Sequence, residues 1–304
     1  MAFTAKDVAD LRAKTGCGMM DCKKALSEAG GDMEKAIDFL REKGLAAATK
    51  KAGRIAAEGV AYAALNDAKN AGVAIEVNAE TDFVAKNAEF QAFVKTCADT
   101  VLANSPADVD ALLQCKAEGS DETIDAILKE KILKIGENIK IRRFQKFDGV
   151  LGAYIHAAGK IAVLTKFEAD ASVAAKPEFE EYAKDVCMQI AAIVPQYLDE
   201  ASVPADVVAH EKEILKQQII ESGKPAEIAE KIVTGRLQKF FKEVCLVDQA
   251  YIKDDSLSIK QFTEQTGKKL GGSIKIVDYV RFEKGEGLEK RQDNFADEVA
   301  SMIK

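Results

Sequence analysis

Ala88-Glu89-Phe90-Gln91-Ala92-Phe93-Val94-Lys95 and Pro177-Glu178-Phe179-Glu180-Glu181-Tyr182-Ala183-Lys184 are two versions of one pattern, E-F-x-x-aromatic-x-K, and they decide the fold. What precedes them also repeats. Gly59-Val60 leads into a turn at Asn66–Gly72 and an apolar strand at Val73–Val77. About ninety residues further on, Gly149-Val150 leads into a turn at His156–Gly159 and an apolar strand at Ile161–Thr165. Order and spacing match: a hairpin, a loop, then a helix carrying the repeated pattern. Two related α+β units, each with an antiparallel sheet, are therefore expected on one chain.

The loops between strand and helix differ. The first copy carries Thr81-Asp82-Phe83-Val84-Ala85-Lys86-Asn87, the second Ala169-Asp170-Ala171-Ser172-Val173-Ala174-Ala175-Lys176. An acid–aromatic pair in one copy faces small residues in the other. Two readings of Asp82-Phe83 stand side by side. Asp82 caps the next helix while Phe83 enters the core, or the pair is an interface anchor, an aromatic on a loop beside a carboxylate.

Outside the copies, residues 1–44 read as three short helices. Thr4 caps the first with Asp7 three residues on, and Gly16 ends it. The second runs over Asp21–Ala29 and stops at Gly30-Gly31. Asp32 caps the third, and Gly44 is placed as its C-terminal glycine. Leu45–Gly59 reads as a helical or extended connector. Between the copies, helices are expected over Ala107–Lys116 and from Asp121, then a strand with Ile139 and Ile141 on one face. After Pro195, Ala205–Ser222 and Pro225–Val244 form an antiparallel helical hairpin around Gly223-Lys224. A helix over Ser256–Thr266, a strand over Ser273–Phe282 and a terminal helix over Leu288–Lys304 complete the reading. The units expected are 1–55, 56–148, 149–286 with the hairpin at about 205–244, and 287–304.

The chain has 304 residues, 47% apolar and 31% charged, which is enough for more than one core. A net charge of −7 argues against an affinity built on phosphate neutralisation, so no direct nucleic-acid role is expected. No long uncharged apolar run suggests a membrane span, and the first residues do not resemble a secretion signal. The six cysteines are scattered and read as reduced thiols, so a cytoplasmic protein is expected.

Enzymatic chemistry is hard to assemble from these residues. The two histidines, His156 and His210, have no ligand spacing. No phosphate-cradling glycine motif, nucleophilic serine signature or paired metal-binding cysteines are present, so neither catalytic residues, metal nor cofactor is expected. What remains is a binding protein. Beside Asp82-Phe83, the adjacent Met19 and Met20 stand out, since neighbours on a helix point about 100° apart and cannot both enter a small core. Exposed methionine suits adaptable interfaces, with Arg12, Lys23 and Lys24 around it.

These residues resemble those of a known family. Leu11-Arg12, Lys14-Thr15-Gly16 and Gly18-Met19-Met20-Asp21-Cys22-Lys23-Lys24-Ala25-Leu26, followed by Gly31-Asp32 and Lys35-Ala36, resemble the N-terminal signature of the bacterial elongation factor Ts family. Thr81–Asn87 resembles its second signature. Ile135-Gly136-Glu137-Asn138-Ile139, Ser222-Gly223-Lys224-Pro225 and Arg281-Phe282-Glu283 are also similar to family segments. The resemblance implies an α+β fold with a ubiquitin-associated-like three-helix N-terminal domain, two related subdomains, a helical hairpin (coiled coil) and a C-terminal helix. It implies guanine nucleotide exchange on elongation factor Tu, in which Thr81, Asp82, Phe83 and Val84 press on the partner near its Mg²⁺ site. It further implies contacts from Arg12, Met19, Met20 and Lys23, and from Ile135, His156 and Val244. The segment after His156 departs from the commonest family pattern. The alternative reading is a non-catalytic adaptor that uses the N-terminal helices to bind other proteins.

Overall fold

The computed structural model describes residues 3–222 and 226–290. The chain opens with α1 (Ala5–Thr15), α2 (Met19–Glu28) and α3 (Met33–Lys51). Thr4 and Asp7 form the expected capping box at α1, and Gly16 closes that helix. Asp32 caps α3 through the amides of Glu34 and Lys35. Leu11, Cys22, Ala25, Leu26, Ala36 and Leu40 make the small core shared by these helices.

Two helix boundaries differ from those expected. The helix of Met19 and Met20 begins at Met19 rather than Asp21. Gly44 does not end α3, which continues to Lys51. Gly44 is instead buried where α3 crosses α7 (introduced below), close enough to its backbone that only glycine fits without a shift. The connector is accordingly helical to Lys51 and irregular before the first strand.

The first α+β unit follows: β1 (Glu58–Leu65), β2 (Ala71–Ala79), α4 (Asp82–Ala85), α5 (Ala88–Asn104), α6 (Val109–Gln114), α7 (Ile124–Ile135) and β3 (Lys140–Asp148). The second has β4 (Val150–His156), β5 (Ile161–Ala169), α8 (Ala171–Ala174) and α9 (Pro177–Ile193). Then come α10 (Ala205–Glu221) and α11 (Ala226–Val244), the short strands β6 (Ala250–Tyr251) and β7 (Asp254–Ser258), α12 (Ile259–Lys269) and β8 (Ile274–Glu283). The chain forms antiparallel sheets of order β1-β2-β3 and β4-β5-β8. In each unit the third strand returns to the outer edge of the hairpin's second strand.

The duplication extends to the backbone. Gly59 and Gly149 both hold φ near +120°, a region that side chains rarely adopt. A Cβ on Gly59 would also overlap the Val77 carbonyl. The β2–β3 register shifts at Glu76/Val77 and the β5–β8 register at Lys166/Phe167, the corresponding step of each copy. Such bulges bend and twist the sheet.

Each sheet packs one face on its own long helix. Phe90, Phe93, Val94 and Val101 of α5 meet Val73, Ile75 and Val77 of β2. Phe179, Tyr182, Val186 and Ile190 of α9 meet Val163 and Phe167 of β5. The opposite faces pack on each other through Ala61, Ala63, Ala74, Leu151, Ala162 and Leu164. That is why every residue of β2 is buried.

The helical hairpin α10–α11 has its own apolar seam, with Leu215, Leu237, Phe241 and Val244 buried. The expected helix over Ser256–Thr266 starts later, at Ile259, because Ser256 belongs to β7 and the capping box is Ser258 with Gln261. The expected terminal helix falls largely on residues 291–304, and the hairpin turn on 223–225; both lie outside the described residues. No helix among the described residues is long and apolar enough to cross a membrane.

Candidate functional site

The loop expected at Thr81–Asn87 is a single helical turn, α4, because Thr81 caps it through the Val84 amide. Asp82 is therefore the first residue of the turn, not its cap. Phe83 does not enter the core: it is 81% exposed, the most exposed of the large apolar side chains among the described residues. Val84 and Ala85 are the residues of the turn that face inward. Asp82 pairs with Lys86 one turn on, at 2.6 Å. That hydrogen bond is the main reason its carboxyl lies below the usual carboxylate range, and the charge of Lys284 adds to it.

The turn stands on a carboxylate that the sequence reading did not single out for this purpose. Glu137 Oε2 accepts from the amides of Glu80 (3.1 Å) and Thr81 (3.0 Å), and its Oε1 accepts from the Thr81 hydroxyl (2.6 Å). In return, Glu80 Oε1 accepts from the Asn138 amide at 2.6 Å. Asn138 Nδ2 donates to the Arg54 carbonyl at 2.8 Å, tying in the segment between α3 and β1.

Phe83 and Val84 border a groove of about 430 Å³ whose other walls are Arg12, Gly16, Cys17 and Gly18 from the N-terminal helices and Lys134 and Ile135 from the end of α7. Thus residues from three separate stretches of sequence meet at one surface. Lys134 pairs with Glu89 at its edge, and that contact holds the Glu89 carboxyl below its ordinary range. Met19 and Met20 follow Gly18 and are both exposed, at 53% and 74%. Lys23, one turn beyond Met19 on α2, is exposed as well. Burial pushes the Cys17 thiol up.

Two expected contact residues lie elsewhere. His156 ends β4 at the turn of the second hairpin, exposed, with Tyr154 Oη 3.0 Å from its Nδ1. Ala157 and Ala158 of that turn are both left-handed. The chain after that turn is tied to the end of β8, since the Lys284 amide donates to the Lys160 carbonyl (2.9 Å). Val244 is different. Its side chain is buried in the base of the hairpin, and its carbonyl accepts from the amides of Gln196 (2.9 Å) and Tyr197 (3.1 Å). An apolar residue that closes a hairpin is drawn inward, so Val244 offers no exposed side chain. Among the described residues no group of three or more potential metal ligands is assembled.

A three-helix unit is fastened to a duplicated α+β core, and an exposed aromatic turn borders the groove between them. A family model described as Elongation factor TS matches residues 80–286. The chain is 49% identical over 303 residues to elongation factor Ts of Clostridium perfringens strain SM101, covering 99% of both chains. It is 50% identical over 310 residues to that of Syntrophotalea carbinolica, covering all of both, and 50% over 305 residues to that of Symbiobacterium thermophilum, covering 98% and 97%. The chain belongs to the elongation factor Ts family, and its role lies in the elongation phase of translation.

Proposed function

We propose that this chain is a guanine nucleotide exchange factor for elongation factor Tu, acting in the cytoplasm on a protein partner and needing no cofactor of its own. The observation that carries the reading is Phe83, a large apolar side chain left 81% exposed on a turn whose backbone is fastened from behind. An aromatic held this way is an anchor awaiting a partner pocket. Arg12, Met19, Met20 and Lys23 extend the surface on the N-terminal side, and Ile135 extends it on the core side. His156, on the turn of the second hairpin, is a separate contact in this reading.

The energetics set what the site must do. A nanomolar nucleotide complex is worth about 12 kcal/mol, and each tenfold loosening needs about 1.4 kcal/mol of coupling. Coupling is reciprocal: whatever lets the factor weaken GDP binding lets incoming nucleotide weaken factor binding. Mg²⁺ held by the partner neutralises phosphate charge, so disturbing its surroundings is an economical way to release GDP. Phe83 supplies the apolar anchor. Asp82, ionised, competes for donors in the partner's site.

The test is release of a fluorescent GDP analogue from elongation factor Tu, with and without this protein and with its Asp82→Ala/Phe83→Ala variant. Acceleration by the wild type that the variant lacks supports the reading. A folded wild-type protein that leaves the release rate unchanged would sink it and favour a non-catalytic adaptor.

A further inference from the structure

We propose that Glu137 is a positioning residue for the Asp82–Phe83 turn, acting through Thr81; this rests on the exchange reading above. Glu137 follows Gly136, which closes α7 with its amide on the Ile132 carbonyl (3.1 Å). One carboxylate there takes three donors from Glu80 and Thr81, residues more than fifty positions earlier. The Thr81 oxygen that donates to Glu137 also receives the Val84 amide, at 3.4 Å. The position of the turn's first residues is thus set by a group outside it.

The same short stretch holds the N-terminal side. Lys51 Nζ donates to the Ile132 carbonyl at 3.2 Å, Asn138 binds the Arg54 carbonyl, and Lys134 lines the same groove as Arg12. Residues 132–138 therefore tie the end of α3 and the segment after it to the turn bearing Phe83. The second copy supplies the contrast. Its equivalent turn, α8, has Asp170 at the cap position with no side-chain capping hydrogen bond, and it carries no exposed aromatic. The brace is found in the copy that displays Phe83. An exposed aromatic can distort a partner only if it is held, since a loose turn loses part of its binding energy to its own ordering.

The experiment compares wild-type protein, Glu137→Gln, Glu137→Ala, Asp82→Ala/Phe83→Ala and the combined variant in GDP release from elongation factor Tu. Both the rate at saturating factor and the half-saturating concentration are measured. Glu137→Ala is expected to lower the saturated rate roughly tenfold. The half-saturating concentration is expected to change less than about twofold, the split expected of an interaction made only on the way to release. Glu137→Gln is expected to fall between, because an amide oxygen still accepts. In the Asp82→Ala/Phe83→Ala background the Glu137 change is expected to add nothing. A wild-type rate in Glu137→Ala, or the same fold loss in both backgrounds, would overturn the proposal, the second by marking general weakening of the fold.

Hydrogen exchange of the free protein keeps this inference apart from the exchange reading. If the wild type fails to accelerate release, the reading falls, and the Glu80 and Thr81 amides still report on the brace. Protection that is lost in Glu137→Ala supports positioning of the turn; absence of protection in the wild type overturns it.

Discussion

Gly44 of α3 lies against the backbone of Lys129 in α7, and a Cβ placed on it would stand 3.3 Å from the Lys129 carbonyl oxygen. That contact lets the N-terminal helices dock on the core. Gly44→Leu is expected to destabilise the protein by about 1–3 kcal/mol, the usual cost of overpacking. Urea denaturation of the full chain checks it. An unchanged midpoint would mean that the two helices have slack between them.

Phe83→Ala separates function from folding. A side chain this exposed adds little to the core, so the change in stability is expected to stay within about 0.5 kcal/mol. Nucleotide release is expected to slow more than complex formation weakens. Equal losses in both, measured by release kinetics and by titration of the partner, would reduce Phe83 to an affinity contact.

Glu76 makes stability depend on pH. Its carboxylate is fully buried, between Arg142 (3.0 Å), Arg143 (2.7 Å), the Gly285 amide (2.8 Å) and Asn78 (3.1 Å). Burial works to raise its pKa, but the hydrogen bonds outweigh burial and hold it below the ordinary value. A depressed folded-state pKa means stability that is fully present above the unfolded value, about 4.3, and lost as pH falls through the folded one. Glu76→Gln is expected to cost about 3 kcal/mol at neutral pH by removing the buried charge that Arg142 and Arg143 share, Arg143 keeping its contact with Glu286. It should also flatten the acid limb of a stability–pH curve, and an acid limb as steep as wild type would rule Glu76 out as its source.

The cysteines should react in a fixed order. Cys115 is half-buried, whereas Cys17, Cys22, Cys97, Cys187 and Cys245 are buried. Burial pushes Cys187 and Cys245 up to about 12, so neither offers a thiolate at neutral pH. Timed maleimide labelling with mass mapping is expected to modify Cys115 first and the others only at the rate of opening. Early labelling of Cys187 would show that the α9 core opens more readily than its packing suggests.

Much of this was legible in the chain because it is local. Thr4 with Asp7 and Asp32 with Glu34 are caps written within a few residues. The repeated glycine–valine openings and E-F-x-x-aromatic-x-K pattern are local too, and they disclosed both units. Gly44 was misread because its neighbour is on another helix: a glycine at a crossing looks in sequence like a glycine at an end. The start of α12 was readable in Ser258 and Gln261, a capping pair that outweighs the helix-compatible residues before it. At the site, the asymmetry between the copies drew attention to Asp82-Phe83 but left a buried and an exposed Phe83 equally open; its 81% exposure decides between them. Glu137 gave no local sign of its task, since its partners are separated from it by more than fifty residues.

β2 has no wet side. With α5 on one face and the second sheet on the other, this strand sits inside the molecule although it came from a unit whose twin lies a few residues away in sequence. The two copies are therefore no longer interchangeable beads. Severing the chain between them would leave each with an oily slab of sheet facing water, prone to clump with its own kind. Likeness has here become dependence: each twin is expected to need the face it shares with the other.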